Sequence, residues 1–176
     1  SFIHIWRTVP DLTLCTSFAI NKNVKVSKTN FSADKQKFLI LSDEAGQTFV
    51  SLFELSTKKL ITKFVLKQSV NDITDISFAA ESGIIMVASS AAVEFYVEEG
   101  FSPLGYNGYS IYSLREPIYP SNVSVSVTNS IARTDGADEF VTGSADGTVL
   151  LWHFRSVLQS VKVFEDASVS KVLFDN

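Results

Sequence analysis

Cysteine and histidine are scarce in this chain of 176 residues, and their scarcity excludes several kinds of site. The single cysteine, Cys15, has no partner for a disulfide bond within the chain. Because it lies in an apolar, strand-like run, we expect a buried and inert thiol. The histidines, His4 and His153, are too few for a His-rich metal site, and neither has a Cys or carboxylate at ligand spacing. We therefore expect no metal ion and no other cofactor.

Motifs of common catalytic and nucleotide-binding sites are also absent. The sequence contains no G-x-S-x-G nucleophile turn, no G-x-x-x-x-G-K-[ST] phosphate loop and no G-x-G-x-x-G dinucleotide motif. Paired carboxylates occur at residues 43–44, 98–99, 138–139 and 165–166. All four pairs fall at predicted turns or strand ends, where solvated loops are the expected setting. We assign no catalytic residues and predict a protein that is not an enzyme.

Long hydrophobic runs and an excess of positive charge are missing as well. No apolar run approaches the roughly 18 residues of a membrane-spanning helix, and no basic leader precedes an apolar core. We therefore expect no membrane insertion and an intracellular, cytoplasmic or cytoskeletal location. The net charge of −4 argues against a nucleic-acid partner. The chain begins at Ser1, directly inside an apolar pattern at residues 2–6, and stops just after the apolar residues 172–174, so we expect it to be a piece of something longer.

Hydrophobic residues, in contrast, are plentiful, at 45% of the chain with 14 Phe, which is ample material for a core. Short apolar or alternating runs bounded by turn residues predict β-strands throughout. These runs lie at residues 38–41, 49–55, 60–66, 84–88, 93–97, 123–127 and 149–154. The best helical candidate, residues 155–163, is short and rich in Ser and Val, and a strand at 159–164 explains it better. The sequence predicts an all-β protein.

One short strand pattern recurs and ends each time in an aromatic residue. The copies close on Trp6, Phe53, Tyr96 and Trp152, at separations of 47, 43 and 56 residues. A second marker, at residues 30–34, 77–81, 131–135 and 173–176, recurs at separations of 47, 54 and 42. Both series lie close to the roughly 40 to 45 residues of a propeller blade, with one insertion in the third interval.

The best-preserved copy, T-G-S-A-D-G-T-V-L-L-W-H-F at residues 142–154, resembles the end of a WD repeat, the unit of one class of β-propeller. A tight turn at Asp146 and Gly147 joins its two strands. The resemblance implies that Ser144, Asp146 and Trp152 belong to the hydrogen-bonded set that ties the strands of a blade together. It also implies that the four closing aromatic residues pack between blades. The chain departs from the family in lacking the Gly-His pair before the first strand of this blade.

The resemblance implies about three full four-stranded blades plus partial blades at both ends. The expected boundaries are a partial blade at 1–20, blades at 24–66, 70–114 and 122–164, and the start of another at 169–176. Propellers need roughly 4 to 8 blades to close a ring. We therefore predict a fragment of a larger propeller, or one completed by segments from elsewhere.

Residues 99–121 depart most from the repeat, with three of the four prolines and four of the five tyrosines. Loops that leave a rigid scaffold often carry binding residues, and Tyr and Arg are enriched at interface hot spots. The candidate partner-binding residues are Phe101, Tyr106, Tyr109, Tyr112, Arg115 and Tyr119. The alternative is that residues 109–112 form an outer strand whose edge the other aromatics cover.

These features favour a non-catalytic protein–protein interaction scaffold in a larger intracellular assembly, of cytoskeletal, ciliary or trafficking type. A lysine-rich stretch at residues 22–67 could face an acidic surface such as tubulin, or could be a solvated strand face that discourages edge pairing. One alternative is a propeller that recognises peptide or phosphopeptide substrates of a ubiquitin ligase. Another is a propeller enzyme, which requires convergent polar residues at the mouth of the channel.

Overall fold

The computed structural model describes residues 2–8, 10–78, 84–89, 93–101, 110–114, 128–133, 139–153, 156–163 and 167–173. All fourteen regular elements in these ranges are β-strands, and they form four antiparallel sheets. The first sheet has two strands, β1 (Phe2–Arg7) and β2 (Thr13–Ala19). The prediction of an all-β protein is confirmed. No helix in this part of the chain has the length and hydrophobicity needed to cross a membrane.

The other three sheets each have four strands, in which neighbours along the chain are also neighbours in the sheet. The second sheet contains β3 (Val24–Phe31), β4 (Lys37–Glu44), β5 (Gln47–Glu54) and β6 (Leu60–Leu66). The third contains β7 (Ile73–Phe78), β8 (Ile84–Ser89), β9 (Val93–Phe101) and β10 (Ser110–Leu114). The fourth contains β11 (Thr128–Arg133), β12 (Glu139–Ser144), β13 (Thr148–His153) and β14 (Ser156–Lys162).

Several strand boundaries differ from those the sequence predicts. The strand predicted to end at residue 97 continues to Phe101. The strand predicted at 159–164 runs instead from Ser156 to Lys162, because a bulge lets Trp152 pair with Val157. The predicted strand at 123–127 lies outside the described residues, and the strand that follows it is β11.

The sheets pack face to face in chain order, and each interface has its own hydrophobic cluster. The first and second sheets meet through Phe18, Phe38 and Ile40. Leu39 and Leu41 point to the opposite face of β4, where they pack against the third sheet. In β8, Ile85 and Val87 face the second sheet and Met86 and Ala88 face the fourth. Since successive side chains of a strand point to opposite faces, β4 and β8 are each buried on both sides.

The turn between β12 and β13 has the conformation that its residues favour. The amide of Gly147 donates to the carbonyl of Ser144 at 3.2 Å, and Gly147 has a φ of 85°, which glycine adopts without strain. The carboxylate of Asp146 accepts from the amide of Thr148 at 3.0 Å. These contacts agree with the turn expected at Asp146 and Gly147 and fix the register of the hairpin.

Candidate interaction surfaces

The first strands of the three larger sheets carry a β-bulge at the same register position. The extra residue is Ser27 in β3, Thr74 in β7 and Asn129 in β11. On the neighbouring strand, the residue beside each bulge is a buried serine. These serines are Ser42, Ser89 and Ser144. A bulge bends and twists a strand, so the three sheets share one local deformation as well as one strand order.

Hydrogen bonds connect the first strand of one sheet to the first strand of the next. The side-chain amide of Asn30 donates to the carbonyl of Ile76 at 3.1 Å. The side-chain amide of Asn129 donates to the carbonyl of Val169 at 3.0 Å, in the segment 167–173 that follows β14. This segment therefore lies beside the fourth sheet, as β7 lies beside the second. We call β3, β7 and β11, the first strands of the three larger sheets, the inner strands.

Asp75 is the most highly connected side chain in this series. Its carboxylate accepts from the hydroxyl of Ser130 at 2.9 Å, the amide of Ile131 at 3.1 Å and the ammonium of Lys171 at 2.9 Å. The same carboxylate accepts from the amide of Ile76 at 3.0 Å. Asp75 is buried, whereas the side chain of Lys171 is 53% exposed. One buried carboxylate thus ties together the inner strands of two sheets and the segment that follows them.

Trp152 forms a hydrogen bond to the second strand of its own sheet. The indole Nε1 of Trp152 donates to the hydroxyl of Thr142 at 2.9 Å, and both residues are buried. Ser144, which the family resemblance places in the hydrogen-bonded set of the blade, lies two residues further along the same face of β12. Its buried hydroxyl has no hydrogen-bond partner among the described residues. Thr142 can accept this hydrogen bond because it lies diagonally opposite Trp152 on the neighbouring strand β12.

The four closing aromatic residues differ in burial. Trp152 and Tyr96 are buried, and Phe53 is half-buried against the first sheet. Trp6 is 51% exposed, contrary to the expected packing between blades. Bulges pair Trp6, Phe53 and Trp152 with the following strand in the same way. The strands β1 and β2 therefore match the last two strands of a larger sheet, and Trp6 borders an open groove.

A second buried carboxylate lies at the junction of the second and third sheets. Glu94 accepts from the side-chain amide of Gln68 at 2.5 Å and from the hydroxyl of Tyr96 at 2.9 Å. Burial raises the pKa of the Tyr96 phenol well above its ordinary value, and the hydrogen bond to Glu94 and the negative charge of that residue raise it further. The pair is a polar contact within a mostly apolar interface.

The candidate partner-binding residues are only partly covered by the structure. Phe101 is the last residue of β9 and Tyr112 lies in β10, the outer strand of the third sheet. Ser110–Leu114 is therefore a strand, as the structural alternative for residues 109–112 expects. The remaining candidates, Tyr106, Tyr109, Arg115 and Tyr119, lie outside the described residues.

A groove of 710 Å³ opens between the first and second sheets. It runs from the end of β1 to the turn that joins β3 and β4 and to the end of β5. Its lining combines exposed aromatic rings, aliphatic side chains and cations, which are Ile5, Trp6, Arg7, Phe31, Lys35 and Leu55. Trp6 is 51% exposed and Phe31 is 39% exposed. Most of the other aromatic side chains whose exposure the structure describes are buried or half-buried.

Cys15 borders the same groove, and the expectation of a buried thiol is wrong. Cys15 is the extra residue of the bulge that pairs Ile5 with Thr16 and Trp6 with Leu14, so the alternation of the strand does not bury it. Its thiol contacts only the carbonyl of Thr13 among the hydrogen-bond acceptors described, at 3.8 Å. On the same sheet, the imidazole of His4 forms a hydrogen bond with Ser17 at 2.9 Å.

The lysine-rich stretch is mostly exposed, but one member is held in place. The ammonium of Lys63 contacts both carboxylate oxygens of Glu44 at 2.6 Å. It also lies 4.3 Å from the centre of the Phe49 ring. Lys63 is therefore engaged within the second sheet. Among the residues that the structure describes, no group of three or more His, Cys, Asp or Glu side chains is placed to hold a metal ion.

Comparison of the sequence with protein-family models finds no match, and comparison with curated proteins finds none either.

Proposed function

We propose that the chain is a segment of a WD-repeat-type β-propeller and serves as a non-catalytic scaffold for protein–protein interaction. The observation that carries the proposal is the repeated inner-strand bulge, at Ser27, Thr74 and Asn129, in three sheets that pack face to face. Repetition of one four-stranded sheet around an axis is what a propeller consists of. The outer-strand pairing of β1 with β2 supports a partial blade at residues 1–20.

The contacts between neighbouring sheets support a scaffold role. Buried contacts join each sheet to the next, and Asp75 adds a polar tie between inner strands. A frame of this kind holds its loops in fixed relative positions, which lets several surfaces engage partners at once. We place the chain in a larger intracellular assembly, of cytoskeletal, ciliary or trafficking type.

We place one partner contact at residues 99–121. Tyr112 is carried by the outer strand of the third sheet, and the tyrosines before it are close in sequence. Aromatic side chains supply large contact area at low entropic cost.

Replacement of Tyr106, Tyr109 and Tyr112 together by Ala tests the proposal. We expect recovery of partner proteins from cell extract to fall at least about tenfold, which corresponds to about 1.4 kcal/mol, while the circular dichroism spectrum stays unchanged. The matched control is Val65→Ala, at an exposed position of β6. Equal recovery by the folded triple variant and the control would show that residues 99–121 are structural only.

A further inference from the structure

Among the described residues, β1 pairs with β2 alone, and no strand lies along its other edge. β1 matches the third strand of the larger sheets, because its bulge beside Trp6 corresponds to those beside Phe53 and Trp152. The third strands β5, β9 and β13 each pair on that edge with an antiparallel second strand. β1 also contains no proline or lysine that would discourage pairing. Its open edge is therefore suited to the addition of another strand.

The second sheet is exposed at the place where such a strand would lie. Val26 and Phe31 of β3 are 36% and 39% exposed. Their counterparts in β7, Ile73 and Phe78, have the same positions relative to the bulge and are only 3% and 1% exposed. Those counterparts share a hydrophobic cluster with leucines of β4, the second strand of the preceding sheet. The exposed part of β3 is therefore an apolar surface of the kind that a second strand covers elsewhere in the protein.

The second strands of the three larger sheets show which residues this position takes. Counted from the residue opposite the closing aromatic ring, five successive positions carry Phe or Ile, then Leu, Met or Val, then a β-branched residue, then Leu, Ala or Gly, and last Ser. The three runs are Phe38–Ser42, Ile85–Ser89 and Phe140–Ser144.

The residue before this run adds a charge preference. Lys37 pairs with Glu54 in the second sheet, and Glu139 pairs with His153 in the fourth. Arg7 holds the matching position in β1, directly after Trp6. Since opposite charges directly across an antiparallel pair stabilise it, an acidic residue fits opposite Arg7.

We propose that an extended segment of a partner protein adds to the open edge of β1 as an antiparallel strand and completes the first sheet at its second position. Its sequence follows the pattern [DE]-[FI]-[LMV]-[ITV]-[LAG]-S. Backbone hydrogen bonds to β1 provide affinity, and the side chains that cover Val26 and Phe31 add apolar contact. The source of the strand, a second polypeptide, rests on the proposed scaffold function, whereas its position and sequence rest on the three larger sheets. This site is separate from residues 99–121.

A synthetic peptide with the sequence E-F-L-V-A-S, carrying a polyethylene glycol tail for solubility, tests the site by titration into the full chain. Trp6 reports on its location, because the Trp6 side chain is 51% exposed whereas Trp152 is buried. Bound peptide should shift the tryptophan emission to shorter wavelength and reduce its quenching by iodide. Trp6→Phe should remove this signal while fluorescence anisotropy of a labelled peptide still detects binding.

Backbone methylation of the peptide distinguishes strand pairing from simple apolar contact. Successive amides of a strand point to opposite edges, so alternate residues donate to the same neighbour. N-methylation of one alternating set should weaken binding at least about tenfold, and N-methylation of the other set should change it less than about twofold. The two peptides carry equal numbers of methyl groups and are matched controls for each other.

Substitutions in the chain test both sides of the site. Phe31→Ala and Arg7→Glu should each weaken peptide binding at least about fivefold, with an unchanged circular dichroism spectrum. The matched controls are Val65→Ala and Lys67→Glu, at exposed positions in and after β6, and both should bind as wild type does. The variant with Tyr106, Tyr109 and Tyr112 replaced by Ala should also bind the peptide normally.

The proposal is overturned if the peptide does not bind, if a scrambled peptide binds equally well, or if the two methylation patterns have the same effect. It is also overturned if sedimentation shows a dimer of the chain that the peptide does not displace, because a second copy then occupies the edge of β1. Any of these results with partner recovery through residues 99–121 intact would leave the scaffold function standing.

Discussion

Thr142 and Ser144 carry buried hydroxyl groups on the same face of β12. A hydrogen-bond partner is described for only one of the two. Thr142 accepts the indole proton of Trp152 at 2.9 Å, whereas the Ser144 hydroxyl has no partner among the described residues. Removing an acceptor from a buried donor leaves that donor without compensation. Removing a hydroxyl that makes no bond carries no such penalty. The two residues should therefore respond differently to nearly isosteric substitution.

We predict that Thr142→Val lowers the free energy of unfolding by about 1 to 3 kcal/mol, because the Trp152 indole is left buried without an acceptor. Ser144→Ala should change it by less than about 0.5 kcal/mol or raise it. Urea denaturation of both variants gives the comparison. A larger loss for Ser144→Ala than for Thr142→Val would contradict the assignment of Thr142 as the hydrogen-bond partner of Trp152.

Tyr96 should make the stability of the protein sensitive to alkaline pH. Its raised pKa means that the folded protein favours the neutral phenol, while an unfolded tyrosine ionises near pH 10. The contribution of Tyr96 to stability is thus fully present below about pH 10, and it is lost as the pH rises above that value, by up to about 1.4 kcal/mol per pH unit.

Urea denaturation of Tyr96→Phe between about pH 8 and pH 11 checks this coupling. We predict a lower stability than wild type at neutral pH, since the bond to Glu94 is lost, and a shallower decline above pH 10. Thr142→Val is the control, because it removes no titratable group and should shift the curve equally at every pH. Parallel curves for wild type and Tyr96→Phe would contradict a raised pKa in the folded state.

At the scale of elements, one position of the second strand carries a smaller side chain in each successive sheet, from leucine through alanine to glycine. Leu41, Ala88 and Gly143 occupy the same place beside the bulges. A methyl group at Gly143 would lie 2.5 Å from the Val169 Cγ1 and 2.9 Å from the Val172 Cγ1. Glycine at this position lets segment 167–173 lie directly on β12, where the Val169 amide donates to the carbonyl of Ser144 at 2.9 Å.

We predict that Gly143→Ala lowers the free energy of unfolding by about 1 to 3 kcal/mol through overpacking against segment 167–173. Val169→Ala in the same chain should recover part of that loss, because it removes the nearest methyl groups. A double-mutant cycle measures this coupling. Strict additivity of the two substitutions would show that segment 167–173 does not dock on β12 in solution.

The strands could be predicted from the sequence, but the bulges that relate the sheets could not. Alternating and apolar runs mark β4, β5, β6 and β13 clearly, because a strand with a buried face imposes a period of two. The bulged residues, Ser27, Thr74 and Asn129, share no side-chain type that would mark them in the sequence. A bulge depends on backbone angles and on pairing with a strand that comes later in the chain.

The groove was equally hidden from the sequence. Trp6, Phe31 and Leu55 are far apart along the chain and meet only when the first two sheets pack. The repeat pattern predicts a buried Trp6. A pattern within one blade does not show whether another sheet covers the strands of that blade. The tight turn at Asp146 and Gly147, in contrast, was predictable because its side chains determine the local conformation.

At the scale of the whole molecule, Asp75 is expected to couple the third and fourth sheets. Asp75→Ala leaves the amide of Ile131 and the hydroxyl of Ser130 without their acceptor, so we predict a loss of about 3 kcal/mol in the free energy of unfolding. Lys171→Ala should cost no more than about 1 kcal/mol, since its ammonium is half exposed. Denaturation monitored by tryptophan fluorescence compares them. Equal losses would contradict the role of Asp75 as a tie between sheets.

The scaffold proposal predicts that the intact chain works by holding other proteins. Cross-linking mass spectrometry of the chain in cell extract tests this most directly. The proposal predicts reproducible cross-links to a small set of proteins, which disappear when excess unlabelled chain competes and persist in the Lys67→Glu control. Cross-links confined to the chain itself, together with turnover of a small molecule that His153→Ala abolishes, would contradict a non-catalytic scaffold and favour a propeller enzyme.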